Sequence, residues 1–185
     1  MFTTEEIKDA IANPKLVIKK KLFLNTPSWE SFIGHLNHEF YNDTYPPMTD
    51  DEPYNPDDTV INGVNIREHF YLMNAAADNP KFFPQFFDVQ DELNKVMETK
   101  YFGSFTLINF VGGERAINVH CDPRHSFYWQ THGTSIWQVF SENDLENPLE
   151  EHEIAQGDMI FVPHGIYHSV VAPEPRTAIS FMYEM

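Results

Sequence analysis

The sequence predicts a mainly β protein, an antiparallel sandwich or barrel preceded by short helices. From about residue 104, short segments rich in β-branched and aromatic residues recur at close spacing, separated by Gly, Pro, Asn or Asp, and this pattern is typical of antiparallel sheets. Before that point, apolar residues recur at helical spacing. The chain has 185 residues and can bury one sizeable core. We therefore predict a single domain, 1–185, with helices, a strand and a loop in 1–103 and the β core in 104–185.

The first predicted elements are a short helix and a strand. Thr3 and Glu6 have the spacing of a capping box, and Pro14 closes the segment that follows, which predicts a helix between them. Residues 16–24, LVIKKKLFL, are apolar and β-branched at both ends and predict a strand.

A second helix, a long loop and a third helix are predicted next. Thr26 is the expected cap of the second helix, with Pro27 in its first turn. Its apolar stripe, which we expect to pack on the core, consists of Trp29, Phe32, Ile33, Leu36 and Phe40. Residues 41–60 are rich in Pro, Asp and Tyr and predict a loop, either a lid or simply a solvated acidic segment. Residues 88–100 predict the third helix.

The β core is predicted to contain about seven strands. The segments are SFTLINFV, RAINVH, TSIWQVF, EEHEIA, DMIFVP, YHSVVA and RTAISFMY. Their number and close spacing indicate a sandwich or a barrel.

The charge of the chain narrows the classes of partner. Lys and Arg number 12 against 28 Asp and Glu, which gives a formal net charge of −16 and a field that repels phosphate backbones, so no nucleic-acid partner is expected. The first residues lack the pattern of a signal peptide, and no apolar run approaches the roughly 20 residues of a membrane span. With one cysteine no internal disulfide can form, so we expect a soluble, cytoplasmic protein with no membrane partner.

A His and an Asp stand two positions apart in VHCDPRH, residues 119–125. If this segment is a strand, His120 and Asp122 share one face and Cys121 lies on the other. We therefore interpret Cys121 as a buried structural thiol rather than a ligand.

The second motif is GDMIFVPHGIYH, residues 157–168. Gly157 opens a strand, Pro163 and Gly165 form the next tight turn, and His168 begins the returning strand. The spacing is that of the second cupin motif, with Ala172 where that motif has Asn.

Together the two motifs resemble the cupin superfamily and, within it, the iron and 2-oxoglutarate dependent oxygenases, over roughly residues 104–183. The resemblance implies a double-stranded β-helix, a cupin-like jelly roll, with flanking N-terminal helices. It implies three metal ligands, His120, Asp122 and His168, because Asp122 replaces the second His of the cupin motif and no Glu follows. Two imidazoles and one carboxylate are the facial triad of non-haem Fe(II) oxygenases, with positions left for 2-oxoglutarate and O2. The alternative is that both histidines are satisfied core residues.

A 2-oxoglutarate enzyme also needs a cation for the distal carboxylate of its co-substrate. In the JmjC-like branch this is a Lys, whose position falls near Ser135, and the chain has no Lys after Lys100. Arg176 lies eight residues past His168, much as the prolyl hydroxylase-like branch places an Arg, and Ser180 shares its strand face. We therefore predict Arg176 as the anchor with Ser180 beside it, the alternative being an ordinary edge-strand arginine.

Other candidates are less specific. Residues that could line the pocket are Asn109, Asn118, Tyr128, Trp129 and Gln130, although such side chains on barrel strands more often pack or satisfy backbone groups. We expect His125, His132 and His164 to be surface residues in or near turns, and Trp137 to belong to the core. No catalytic residue beyond the metal ligands is predicted.

The predicted function is that of an Fe(II)- and 2-oxoglutarate-dependent oxygenase that hydroxylates a protein or peptide side chain. A small-molecule hydroxylase of the same class ranks close behind. The rivals from other classes are a cupin dioxygenase or isomerase that does not use 2-oxoglutarate and a non-catalytic ligand-binding barrel. A homodimer through the N-terminal helices or a strand edge also stays open.

Overall fold

The computed structural model describes residues 1–41, 60–61, 64–65, 70–74, 79–110 and 114–185. Its helices are α1 (Thr4–Ala12), α2 (Trp29–Tyr41) and α3 (Phe86–Asn94). Its strands are β1 (Val17–Lys19), β2 (Val60–Ile61), β3 (Val64–Asn65), β4 (Phe70–Asn74), β5 (Tyr101–Asn109), β6 (Glu114–Cys121), β7 (His125–His132), β8 (Thr134–Phe140), β9 (Glu150–Ala155), β10 (Met159–Val162), β11 (Tyr167–Ala172) and β12 (Arg176–Tyr183).

Two antiparallel sheets form the body of the protein. One has six strands in the order β1-β10-β7-β12-β5-β4, and the other has four strands in the order β6-β11-β8-β9. From β5 to β12 the chain passes repeatedly from one sheet to the other, except at the β8–β9 hairpin, as in a jelly roll. The predicted fold class, a mainly β double-stranded β-helix with flanking N-terminal helices, is confirmed.

Two apolar clusters lie on opposite faces of the six-stranded sheet. The cluster between the sheets includes Tyr128, Trp137, Ile154, Ile160, Val170 and Ala178. The cluster on the outer face joins strand residues such as Phe127, Phe161 and Phe181 to side chains of α1, α2 and α3. Because alternate residues of a strand face opposite sides, each central strand contributes to both clusters. Side chains of the first cluster point into the barrel, where the candidate site lies.

The N-terminal elements differ from the prediction at their ends. The capping box of α1 is present, with the Thr3 hydroxyl accepting from the Glu6 N–H and the Glu6 side chain accepting from the Thr3 N–H. At α2 the side chain of Ser28, rather than Thr26, accepts from the Ser31 N–H, whereas Thr26 accepts from Gln156 Nε2. The predicted cap Thr26 is therefore wrong by two residues. The strand predicted over 16–24 is shortened to β1, because only Val17–Lys19 pairs with β10.

The seven strands predicted from the sequence do not include β7, which the structure adds. It lies between β10 and β12 and carries buried polar residues, among them Ser126, Gln130 and Thr131, which mask the apolar pattern of a central strand.

The predicted loop 41–60 falls almost entirely outside the described residues, as do the side chains of Leu36 and Phe40. Within the described part of the chain, no helix is both long and apolar enough to cross a bilayer.

Candidate active site

His120, Asp122 and His168 meet at one end of the barrel. His120 lies on β6 and Asp122 directly follows the end of that strand, while His168 is the second residue of β11. The two strands are neighbours, and His168 is directly opposite His120 in their register. A strand pair thus delivers both imidazoles to one face, and the period of two along the chain adds the carboxylate.

The three side chains have the spacing of a metal site. His120 Nε2 lies 3.4 Å from Asp122 Oδ1, and His168 Nε2 lies 3.9 Å from Asp122 Oδ2. One potential ligand atom of each residue lies within 4.8 Å of those of the other two. Asp122 Oδ2 and His168 Nε2 are buried without a hydrogen-bond partner, so both lone pairs are available to a cation. The His120 side chain is 34% exposed against 0% for His168, so the site opens on the His120 side.

The ring of His168 is held in the orientation and tautomer that a metal ligand needs. Its Nδ1–H donates to the Ile166 carbonyl over 3.0 Å, which leaves Nε2 unprotonated towards Asp122. The Trp137 indole stacks on this ring, with centroids 5.1 Å apart and an interplanar angle of 20°. The core residue predicted at Trp137 therefore also fixes the plane of His168.

The charge states of Asp122 and His168 suit a cation. Burial raises the pKa of Asp122, but the hydrogen bond from His120 opposes it, and overall the pKa lies below its ordinary value, so the carboxylate is ionised. Burial lowers the pKa of His168, which favours the neutral ring. An ionised carboxylate and neutral imidazoles are the forms that bind metals.

The turn between β10 and β11 is tied to the backbone of Asp122. The ring of His164 donates from Nδ1 to the Asp122 carbonyl over 2.8 Å, and the His164 backbone N–H donates to His125 Nδ1 over 3.0 Å. His125 is buried, so its prediction as a surface residue is wrong, and its ring acts as an acceptor at the corner of the barrel. These bonds hold the turn that precedes β11 against the segment that joins β6 to β7.

Arg176 is buried in the barrel interior at the start of β12. It is 1% exposed and shares its strand face with Ala178 of the inner cluster. Its Nε donates to Asn109 Oδ1 over 2.8 Å, and its Nη1 lies 3.5 Å from Gln130 Oε1. Nη2 is buried with no hydrogen-bond partner. Burial lowers the pKa of Arg176 to about 10, so the guanidinium keeps its charge at neutral pH.

Ser135, the position where the resemblance would place a Lys, is beside this guanidinium. Its hydroxyl donates to Gln130 Oε1 over 2.9 Å, the same oxygen that faces Arg176 Nη1. We call Arg176 with Asn109, Gln130 and Ser135 the arginine cage. The positive charge at this place comes from Arg176 on β12 rather than from a Lys on β8.

Tyr128 connects the arginine cage to the triad. Burial and the negative charge of Asp122 raise the pKa of Tyr128 well above its ordinary value, while the positive charge of Arg176 opposes them. The phenol is therefore neutral and is influenced by the charges of both groups. Ser180, directly opposite Tyr128 in the register, has a buried hydroxyl without a hydrogen-bond partner.

A glycine missed by the sequence interpretation shapes the arginine cage. Gly133, in the turn between β7 and β8, has a φ of 63°. A Cβ at this position would lie 2.4 Å from the Pro175 carbonyl oxygen and 3.1 Å from Arg176 Cβ. Its position between two β-rich segments is a turn signal, but the approach of a distant loop leaves no mark in the sequence.

The structure brings most predicted site residues into one interior. These are the triad residues His120, Asp122 and His168, and the interior residues Asn109, Tyr128, Arg176 and Ser180. Cys121 lies outside this set and is half-buried rather than buried. Among the softer candidates, Trp129 faces the outer cluster, and its indole donates to the Phe23 carbonyl. The side chain of Asn118 falls outside the described residues.

The JmjC domain family model matches residues 82–185, which is more than half of the chain. The chain belongs to the JmjC domain family. The match includes both motifs of the triad and every strand that forms the arginine cage. A search of curated proteins finds no match.

Solved structures agree with a JmjC domain at the level of the fold. YcfD from Escherichia coli is 15% identical and superposes with a TM-score of 0.63, covering 97% of this chain and 53% of that one. A structure described as YcfD, a ribosomal oxygenase, in complex with cobalt and 2-oxoglutarate gives 15% identity, a TM-score of 0.63 and coverage of 97% and 51%. A third, with cobalt and succinic acid, gives 14% identity, a TM-score of 0.64 and coverage of 97% and 51%. The chain spans about half the length of these structures.

Proposed function

We propose that the protein is an Fe(II)- and 2-oxoglutarate-dependent oxygenase that hydroxylates a protein or peptide side chain. The observation that carries the proposal is one barrel interior with a three-residue triad at its mouth and a buried arginine deeper inside that lacks a carboxylate partner among the described residues. A triad without an anion site would suit many metalloenzymes. The buried positive charge of Arg176 is what favours a chelating co-substrate with a distal carboxylate.

His120, Asp122 and His168 are the proposed ligands of Fe(II). Their two nitrogens and one carboxylate fit this ion, and the unpartnered Asp122 Oδ2 and His168 Nε2 support the assignment. When bound, the iron would activate O2 together with 2-oxoglutarate, which leaves as succinate and carbon dioxide while the substrate is oxidised. The protein contributes position and the exclusion of water, since His168 is fully buried and its ring is fixed by Trp137.

Arg176 is the proposed anchor of the distal carboxylate of 2-oxoglutarate. Its bare Nη2 and the unpartnered Ser180 hydroxyl supply donors of the kind a carboxylate accepts. Tyr128, whose phenol stays protonated, is a third donor between this anchor and the metal ligands. We assign Asn109 to the same subsite through its bond to Arg176. No further catalytic side chain is proposed.

A basic segment of a protein is the proposed substrate. Support comes from the net charge of −16 and from the loop between β8 and β9, where Glu142, Asp144 and Glu146 are exposed. This loop lies at the mouth, because His168 pairs with Val139 at the end of β8. An acidic rim attracts and orients a cationic chain. The solved relatives described as a ribosomal oxygenase are consistent with a protein substrate.

The test is turnover of 2-oxoglutarate by the reconstituted protein. Protein incubated in air with Fe(II), ascorbate and 2-oxoglutarate should form succinate. Formation should be faster with Lys- and Arg-rich peptides than with acidic peptides of the same length. Mass spectrometry should find one added oxygen atom on the peptide that accelerates turnover. His168→Ala should abolish both signals, while His152→Ala, which alters a histidine paired with Glu150 on β9, should not. Protein that binds iron stoichiometrically but never consumes 2-oxoglutarate would overturn the proposal.

A further inference from the structure

The arginine cage holds two of the three guanidinium nitrogens of Arg176. Asn109 Oδ1 accepts a hydrogen bond from Arg176 Nε over 2.8 Å, and Gln130 Oε1 lies 3.5 Å from Arg176 Nη1. Gln130 is itself fixed at both ends of its amide, because its Nε2 donates to the His132 carbonyl over 2.6 Å and its Oε1 accepts from Ser135. With Nε occupied, a carboxylate can pair with the guanidinium only through its Nη1 and Nη2 end, where Nη2 is bare.

The cage is also electrically neutral apart from the arginine. Asn109, Gln130 and Ser135 carry no charge, and in the described part of the chain no carboxylate forms an ion pair with Arg176. This is unusual in a chain with 28 acidic residues, since a buried cation without a counter-ion is costly. An amide at position 109 satisfies Nε without neutralising the charge, whereas an aspartate of almost the same size would do both.

We propose that Asn109 and Gln130 are positioning residues that aim Arg176, and that their neutrality reserves its charge for a carboxylate of the co-substrate. The inference rests on the proposed function and deepens it, because it names the residues that make the subsite specific for an anion. Neither residue needs to touch 2-oxoglutarate. The carboxylate of the co-substrate then serves as the counter-ion that none of the described residues supplies.

Two substitutions at one position separate this role from a purely structural one. Asn109→Asp keeps an acceptor for Nε and adds a charge that pairs with Arg176, so the apo protein should be as stable as the wild type or more stable. Its carboxylate also repels the incoming anion. Asn109→Ala removes the acceptor and leaves the Nε hydrogen unsatisfied, so the apo protein should be less stable while the charge of Arg176 stays available.

The experiment compares urea unfolding of the apo protein with calorimetric binding of 2-oxoglutarate to the Co(II)-loaded protein. Stability should rank Asn109→Asp at or above wild type and Asn109→Ala lowest. Affinity should rank differently, with Kd raised about 10-fold in Asn109→Ala and about 100-fold in Asn109→Asp, the range expected for a charged hydrogen bond. Co(II) affinity should stay within about twofold in both variants. If affinity simply follows stability, with Asn109→Ala the weakest binder, the inference is wrong.

Gln130→Glu tests the affinity half of the inference from the other acceptor; its own stability should fall, because the variant loses the Nε2 donor to the His132 carbonyl. It replaces Asn109→Asp should that variant fail to fold. Glutarate, which has both carboxylates of the co-substrate but no keto group, should compete with 2-oxoglutarate in the wild type and not in the acidic variants. Failure of the wild type to bind 2-oxoglutarate would overturn the proposed function together with this inference. Wild-type binding that survives Asn109→Asp and Gln130→Glu unchanged would overturn the inference alone.

Discussion

Replacing Arg176 by Met should separate the stability of the protein from its binding of 2-oxoglutarate. Burial lowers the pKa of Arg176 to about 10, and at about 1.4 kcal/mol per pKa unit this shift means that the buried charge costs about 3 kcal/mol. Met carries no charge, so this cost disappears in the variant, although its side chain ends short of the position of the guanidinium nitrogens. The loss of the donor to Asn109 Oδ1 works in the opposite direction by about 1–3 kcal/mol.

The two contributions nearly cancel, so the apo variant should unfold with a free energy within about 1 kcal/mol of the wild type or above it. Truncating or replacing a fully buried side chain with a structural role usually costs more, about 2–5 kcal/mol. Stabilisation by 2-oxoglutarate, in contrast, should differ between the wild type and the variant. At a concentration 100 times its Kd, 2-oxoglutarate should add about 3 kcal/mol to the unfolding free energy of the Co(II)-loaded wild type and almost nothing to that of the variant.

Urea unfolding with and without 2-oxoglutarate measures both quantities in one assay. Arg124→Met is the matched control, because Arg124 stacks on the exposed Phe102 ring and has no place in the arginine cage. It should keep the full response to 2-oxoglutarate. A loss of several kcal/mol of apo stability in Arg176→Met, or stabilisation of this variant by 2-oxoglutarate as strong as that of the wild type, would refute the role assigned to Arg176.

Three further predictions follow from the same structure. His168→Ala should lose stoichiometric Co(II) binding by calorimetry, whereas His152→Ala should retain it; equal binding by both would remove His168 from the metal site. Gly133→Ala should cost about 1–3 kcal/mol of stability and weaken 2-oxoglutarate binding while Co(II) binding persists, because a Cβ there meets the loop that precedes the arginine cage. Gly103→Ala is its control, since a Cβ there finds its nearest neighbour at 3.8 Å. Burial raises the pKa of Asp158, but hydrogen bonds from two backbone N–H groups and a lysine outweigh it and lower the pKa overall, so its stabilisation is present above about pH 4 and lost below it. The stability gap between wild type and Asp158→Asn should therefore shrink as the pH falls from 5 to 3, and a gap independent of pH would contradict this assignment.

The triad of His120, Asp122 and His168 could be located from the sequence because its signal is local. The period of two along a strand places His120 and Asp122 on one face, and the turn formed by Pro163 and Gly165 precedes the strand of His168. Arg176 is predicted by elimination among the few cations of the barrel segment, by the resemblance to the prolyl hydroxylase-like branch and by its shared strand face with Ser180, and its role as an anchor stays a prediction.

The features that escaped the sequence depend on contacts between distant segments. Strand β7 was missed because its inner face carries the polar residue Gln130, whose role becomes visible only beside Arg176 and Ser135. His125 was predicted at the surface, yet the turn of His164 covers it and uses its ring as an acceptor. A pattern that assigns polar residues to turns fails where a polar cluster is part of the barrel interior.

The most direct test of the central claim is to add Fe(II) and then 2-oxoglutarate to the protein without oxygen and to record the visible spectrum. Bidentate chelation of ferrous iron by 2-oxoglutarate produces a charge-transfer band, and the measurement needs no knowledge of the substrate. We expect this band in the wild type, no band in His168→Ala and a weaker band in Arg176→Ala. Stoichiometric iron binding with no band on addition of 2-oxoglutarate would contradict the proposed function and favour a cupin metalloenzyme that does not use this co-substrate.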